Sequence, residues 1–172
     1  MEGSKYTKKS ILSNPYRRAI YHFVRTNLGA HFSLIKKEIF SDKKSAGSAG
    51  QLIWHLEMLL KFKYIKKMKM GNFTLFLPID LDDELGLISF LLRDELNKKI
   101  FNLIAEKGQV KKTEIYKILN EPRELVYYRI NNLIEYGILI PLEKEPDELT
   151  LTHKKKEIIK KILIYSQDEG NK

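Results

Sequence analysis

Three lysines sit in an alternating stretch, Ile65-Lys66-Lys67-Met68-Lys69-Met70, followed at once by Gly71-Asn72. In an extended segment successive side chains point to opposite faces, so Lys67 and Lys69 share one face while Lys66 points with Met68 and Met70 to the other. Two ammonium groups aimed together fit a row of phosphates. The same arrangement also protects a strand edge from pairing with another chain. Upstream, Lys43 and Lys44 precede a run of small residues, Ala46, Gly47, Ser48, Ala49 and Gly50, and then Gln51. The small residues let a backbone approach phosphate closely, and the Gln51 amide can pair with adenine. On a helix, the side opposite Leu52 and Leu56 would present Ser48, Gln51, Trp54, His55 and Met58. Trp54 is more often a semi-buried packing residue than a base reader, and His55 more often a satisfied surface or core histidine than a ligand. Arg17 and Arg18 either touch a phosphate backbone or are solvated.

Catalysis has no comparable support. The 172 residues contain no Cys, which excludes disulfides, thiolate metal sites and a cysteine nucleophile. His22, His31, His55 and His153 are not at metal-ligand spacing. No spaced carboxylate pair has a nearby His, and there is no Gly-rich phosphate loop and no Ser/His/Asp arrangement. No enzyme activity, metal or cofactor is therefore expected. The longest apolar stretch, around Leu85 to Leu92, is far short of the roughly 20 residues a spanning helix needs. The first residues, M-E-G-S-K-Y-T-K-K, have no apolar signal region behind them. A cytoplasmic protein is expected.

The formal net charge is +9, and it is unevenly placed. Residues 1–80 carry 15 Lys and Arg against 5 Asp and Glu, a net +10; residues 81–172 carry 16 against 17, a net −1. A general lysine bias would raise both halves, so the asymmetry assigns a polyanionic partner to the first half. Chance placement of solvated lysines is the alternative.

The elements that must position these groups follow from the hydrophobic spacing. Asn14-Pro15 reads as a capped helix start, Ile20, Phe23 and Val24 recur at helical spacing, and Gly29 ends the helix. A short second helix from about Ser33 carries Leu34, Ile35 and Ile39. After a polar loop from Ser41 to Ser48, a third helix carries Leu52, Leu56 and Leu59. The period then changes to that of a hairpin, Ile65 to Met70 and Phe73 to Leu77, around Gly71-Asn72. Three helices and a hairpin is the winged-helix order.

The second half repeats it. Ile100, Phe101, Leu103 and Ile104 build a first helix stopped by Gly108, and Thr113 is placed to cap a second with Ile115, Ile118 and Leu119. Asn120-Glu121-Pro122 turns the chain into a third helix from about Arg123, with Val126, Ile130 and Leu133 inside and Gly137 at its end. Ile138 to Leu142 and Leu149 to Thr152 form a second hairpin. Leu59-Leu60-Lys61-Phe62-Lys63-Tyr64-Ile65 aligns with Leu133-Ile134-Glu135-Tyr136-Gly137-Ile138-Leu139 at an offset of 74 residues.

Two segments lie outside the repeat. Asp83 to Leu92 is apolar on nearly all sides, so it is either buried between units, part of a subunit interface, or a longer first helix of the second unit. The C-terminal helix sets Ile158, Ile159, Ile162, Leu163 and Tyr165 on one stripe; it packs back on its own domain or forms a homodimer. The expected fold is mainly α with small β-hairpins, an α+β arrangement of two tandem winged helix-turn-helix domains plus a C-terminal helix. The boundaries are 11–79 for the basic domain, 80–95 for a connecting helix, 96–152 for the second domain and 153–166 for the last helix.

The third helices, Gln51-Leu52-Ile53-Trp54-His55-Leu56-Glu57 and Leu125-Val126-Tyr127-Tyr128-Arg129-Ile130-Asn131, each lead into a wing. With the Asn14-Pro15-Tyr16-Arg17-Arg18 start and the Gly29-Ala30-His31-Phe32-Ser33 junction, the chain resembles winged-helix transcriptional regulators of the ArsR and MarR type over residues 11 to 152. More narrowly, it resembles archaeal proteins that carry two such domains in tandem. One residue departs from the pattern: the Gly usual after the third helix is Gly137 in the second unit but Lys63 in the first, which puts Lys63 in a strained backbone conformation or reshapes the helix exit.

The resemblance implies a DNA-binding regulator with double-stranded DNA as partner. The first recognition helix would lie in the major groove, through Lys43, Lys44, Ser48, Gln51, Trp54 and His55, and the wing on the backbone, through Lys66, Lys67, Lys69 and Asn72. Arg17, Arg18, Arg123, Tyr127 and Arg129 are further candidates. The second wing carries Glu143, Glu145, Asp147 and Glu148 against Lys144 alone, so it is expected to stay off DNA. A homodimer through Leu85–Leu92 or the C-terminal helix is a further expectation. The alternative function is a tandem winged-helix protein–protein adaptor, a scaffold or chromosome-associated subunit without sequence-specific DNA binding.

Overall fold

The computed structural model describes residues 7–40 and 49–169, with side chains to residue 162. It divides into two compact units, Met1–Phe90 and Leu91–Lys172. The division falls inside the segment 80–95.

The first unit opens with a short helix, α1 (Lys8–Ile11), held by a reciprocal cap between Thr7 and Ser10. In α2 (Pro15–Thr26), the Asn14 carboxamide oxygen accepts from the Arg17 backbone N–H at 3.1 Å, and Pro15 fills the first turn. Ile20 and Val24 are fully buried. The helix is left through Leu28 (φ 52°) and Gly29 (φ 121°), whose N–H reaches back to the Val24 carbonyl at 2.9 Å. A two-residue strand, β1 (Ala30–His31), follows directly. His31 then caps α3 (Phe32–Ile39), its Nδ1 accepting from the Leu34 N–H at 3.0 Å. The third helix, α4 (Ala49–Lys61), buries Leu52, Leu56 and Leu59 against Ile20, Val24 and Ile35.

Strands β2 (Ile65–Met70) and β3 (Phe73–Pro78) are antiparallel, with Met70 opposite Phe73, so Gly71-Asn72 is the whole turn. β1 adds to β3, giving the order β1-β3-β2. The register assigns the faces. Ile65, Lys67 and Lys69 lie opposite Pro78, Phe76 and Thr74, and Ile65 and Phe76 of that face join the helical core. Lys66, Met68 and Met70 share the other face with Leu77, Leu75 and Phe73.

That second face is covered by α5 (Asp83–Leu91). A Cβ added at Gly86 would stand 2.6 Å from Leu77 Cδ2, so the helix seats on the sheet at a residue without a side chain. The Phe90 ring lies 5.3 Å from Phe73 and 5.6 Å from His31. Lys66 Nζ reaches Asp83 Oδ1 at 2.8 Å and donates to the Leu81 carbonyl. Leu87 and Ile88 of α5 are not exposed. Nor does the segment extend the next helix, because Asp94 caps a new one.

In the second unit α6 (Glu95–Lys107) buries Ile100, Phe101, Leu103 and Ile104 and ends at Gly108 (φ 83°). Then come β4 (Gln109–Lys111), α7 (Lys112–Leu119), α8 (Arg123–Glu135), β5 (Ile140–Pro141) and β6 (Glu148–Thr150), with sheet order β4-β6-β5. Each unit thus runs helix, strand, helix, helix, strand, strand, and the fold is α+β of the winged-helix kind. The strands β1 and β4, only two and three residues long, were not anticipated from the sequence. The second hairpin is shorter than expected. Thr113 does not cap α7: Lys111 stands at the cap without a side-chain bond, and the Thr113 hydroxyl donates to Asp147 Oδ2 at 3.1 Å. Ile118 is exposed, not buried.

The exits of α4 and α8 are alike. The Tyr64 N–H donates to the Leu59 carbonyl at 2.9 Å and the Ile138 N–H to the Leu133 carbonyl at 2.8 Å, through Lys63 at φ 56° and Gly137 at φ 68°. Finally α9 (His153–Glu169) buries Ile159, half-buries Ile158 and Ile162, and sends Lys155 to the Gly137 carbonyl, so its first turns rest on their own unit. The side chains of Leu163 and Tyr165 lie outside the described residues.

Candidate nucleic-acid interface

Helix α4 shows its surroundings two sides. Leu52, Leu56 and Leu59 turn inward, while Gln51, Ile53, Trp54 and Glu57 are exposed, Trp54 at 43%. His55 does not belong to the exposed side, as the sequence had suggested, but is 6% exposed. The reason is helical spacing: His55 is three residues from Leu52 and four from Leu59, which puts it on the buried arc. Its ring stacks near Tyr16 at 5.6 Å and Phe40 at 6.4 Å. Burial, and then the nearby Arg17 charge, push its pKa below the ordinary histidine value.

Arg17 is corrected in the same way. It is 3% exposed, its Nε donates to the Ile11 carbonyl at 2.8 Å, and its guanidinium lies over the Trp54 ring at 5.3 Å. It braces one side of Trp54 from within the unit, ties α1 to α2, and is not available to a phosphate. Arg18, its neighbour, is exposed. Lys43, Lys44 and Ser48 lie outside the described residues.

On the wing, Lys67, Lys69 and Asn72 are exposed. Lys66 is not a partner for phosphate, because its ammonium is committed to Asp83 and the Leu81 carbonyl. The alternation therefore separates one lysine that fixes α5 to the sheet from two that remain on the open side.

In the second unit Arg129 pairs with Asp94 at 2.8 Å and serves the start of α6 rather than an outer surface. Arg123 is exposed, its guanidinium over the Tyr127 ring at 5.0 Å. Lys112 also lies over that ring, at 4.9 Å, and donates to Asn131 Oδ1 at 2.8 Å. Lys117 sits over Tyr116, and Tyr116 meets Tyr127 edge-on at 6.1 Å. Lys112, Tyr116 and Lys117 were overlooked in the sequence: Lys112 meets Tyr127 from another helix, and no local spacing announces that contact. The acidic wing folds against this region: the Asp147 carbonyl accepts from the Lys112 N–H at 2.7 Å.

Among the described residues no three His, Cys, Asp or Glu side chains gather as a metal ion would require, and no helix is long and apolar enough to cross a membrane.

The chain is similar to a protein named as an HTH-type transcriptional regulator. That protein, from the archaeon Methanocaldococcus jannaschii and described as uncharacterized, is 32% identical over 132 residues, which is 77% of this chain and 32% of the relative. The chain thus spans about a third of the length of the curated relative it matches. No family model matches the chain.

Proposed function

We propose that this chain is a DNA-binding transcriptional regulator of tandem winged-helix design, and that its first unit meets the duplex. In this reading α4 enters the major groove with Gln51 and Trp54 outward, and the β2–β3 wing lies on the phosphate backbone through Lys67, Lys69 and Asn72. The observation that carries it is the pair Lys67 and Lys69, exposed on the one face of the wing that α5 leaves open, in the half of the chain that holds the whole positive excess. The name of the archaeal relative, an HTH-type transcriptional regulator, supports the same reading. Arg17, His55 and Lys66 contribute by holding α4, Trp54 and the sheet in place.

The second unit has a weaker claim on DNA. Its wing is acidic, but Lys112, Lys117 and Arg123 offer a small basic face around Tyr116 and Tyr127.

The test is a titration of duplex DNA, taken from a selection on random sequence, at several salt concentrations. If about six lysines and arginines neutralise phosphates, log affinity falls against log salt with a slope near −5. Binding that ignores salt, or no binding to any selected duplex, overturns the proposal.

A further inference from the structure

A cleft of about 450 Å³ opens between α4 and the wing of the first unit. Its volume lies within the range of small-molecule sites, roughly 300–1,000 Å³. One wall is a stripe of α4 at helical spacing, Ile53, Leu56, Glu57 and Leu60; the facing wall is the open side of the sheet, with Lys67, Thr74 and Phe76. Phe32 and Ser33 at the start of α3 close one end, and Asn72 and Phe73 at the hairpin turn close another.

Two charges of opposite sign face this apolar space. Glu57 and Lys67 are both exposed and, among the described residues, neither has an ion-pair partner, each other included. A phosphate backbone running through the cleft would meet Lys67 favourably but Glu57 unfavourably. An occupant with one anionic and one cationic group joined to an apolar body satisfies both and covers Ile53 and Leu60.

We infer that this cleft binds a small zwitterion with an apolar side chain, the chemistry of a hydrophobic amino acid, its carboxylate on Lys67 and its ammonium on Glu57. The site stands on its own geometry. Its regulatory meaning rests on the function proposed above: an occupant that engages Lys67 withdraws one of the two wing lysines from phosphate, so ligand and DNA weaken each other's binding by the same factor.

The experiment titrates L-phenylalanine and L-leucine into the full chain without DNA, following the methyl signals of Ile53 and Thr74. Saturation below about 10 mM is expected. Glu57→Gln should weaken binding about tenfold or more, and phenylacetate and phenethylamine, each lacking one charge, should bind about tenfold more weakly than L-phenylalanine. No saturation, saturation indifferent to Glu57→Gln, or the same methyl shifts produced by inorganic phosphate overturns the inference. In a second arm, saturating L-phenylalanine should lower duplex affinity and reduce the salt slope by about 1. Amino-acid binding that depends on Glu57 in a protein that binds no duplex would overturn the DNA reading and leave the site standing. Duplex binding with no amino-acid binding would do the reverse.

Discussion

Lys63 and Gly137 occupy the same point of the two units, 74 residues apart, and both carry a positive φ, 56° and 68°. Each turns the chain out of a third helix into a wing. Only Gly137 does so without steric cost, since a side chain in the left-handed region brings Cβ against the following carbonyl.

Replacing Lys63 by Gly should therefore stabilise the first unit, by up to about 1 kcal/mol once the greater freedom of glycine in the unfolded chain is set against the relieved strain. The reciprocal change, Gly137→Ala, should cost about 1 kcal/mol, for conformational reasons alone because an added Cβ there meets nothing within 4 Å. Urea unfolding with an unchanged slope checks both.

The seat of α5 gives a second outcome. Gly86→Val would press its side chain onto Leu77, which is fully buried and has nowhere to go. A loss of about 1–3 kcal/mol is expected, as for overpacked cores. Gly108→Ala serves as the control: its added Cβ has open space, so its cost should come only from the positive φ.

Histidine 55 makes the first unit sensitive to acid. Its pKa in the fold lies below that of the unfolded chain, so the unfolded state takes up a proton first as pH falls. The stabilisation from the neutral buried ring is complete above the unfolded value of about 6.5 and is lost as pH drops from there toward the folded value. His55→Phe, which keeps the stacking with Tyr16 and Phe40, should flatten the dependence of the melting temperature on pH between 7 and 5.

Lys67→Ala with Lys69→Ala should weaken binding to every duplex about equally and lower the salt slope by about 2. Lys66→Ala should act differently, loosening α5 from the sheet with little change of slope. A change confined to one duplex sequence would mean that the wing reads bases.

How far these features could be read in advance depended on their periodicity. Leu52, Leu56 and Leu59, or Val126, Ile130 and Leu133, announce a helix face through spacing alone, and the period-2 run from Ile65 to Met70 assigns Lys67 and Lys69 to one face. What spacing does not carry is the partner. Lys66 was on the correct face, but its pairing with Asp83 depends on a helix folding back from 17 residues downstream. Arg17 and His55 are polar residues on buried arcs, and residue type outweighed position in the reading of them. The strands β1 and β4 are too short to show any period.

Capping α3 also settles the chemistry of His31. A nitrogen that accepts a hydrogen bond from the Leu34 N–H has no proton of its own, so the neutral ring is held as the tautomer protonated at Nε2. His31 lines the cleft between α4 and the wing as well. The polar group it has left to offer its surroundings is therefore an N–H donor.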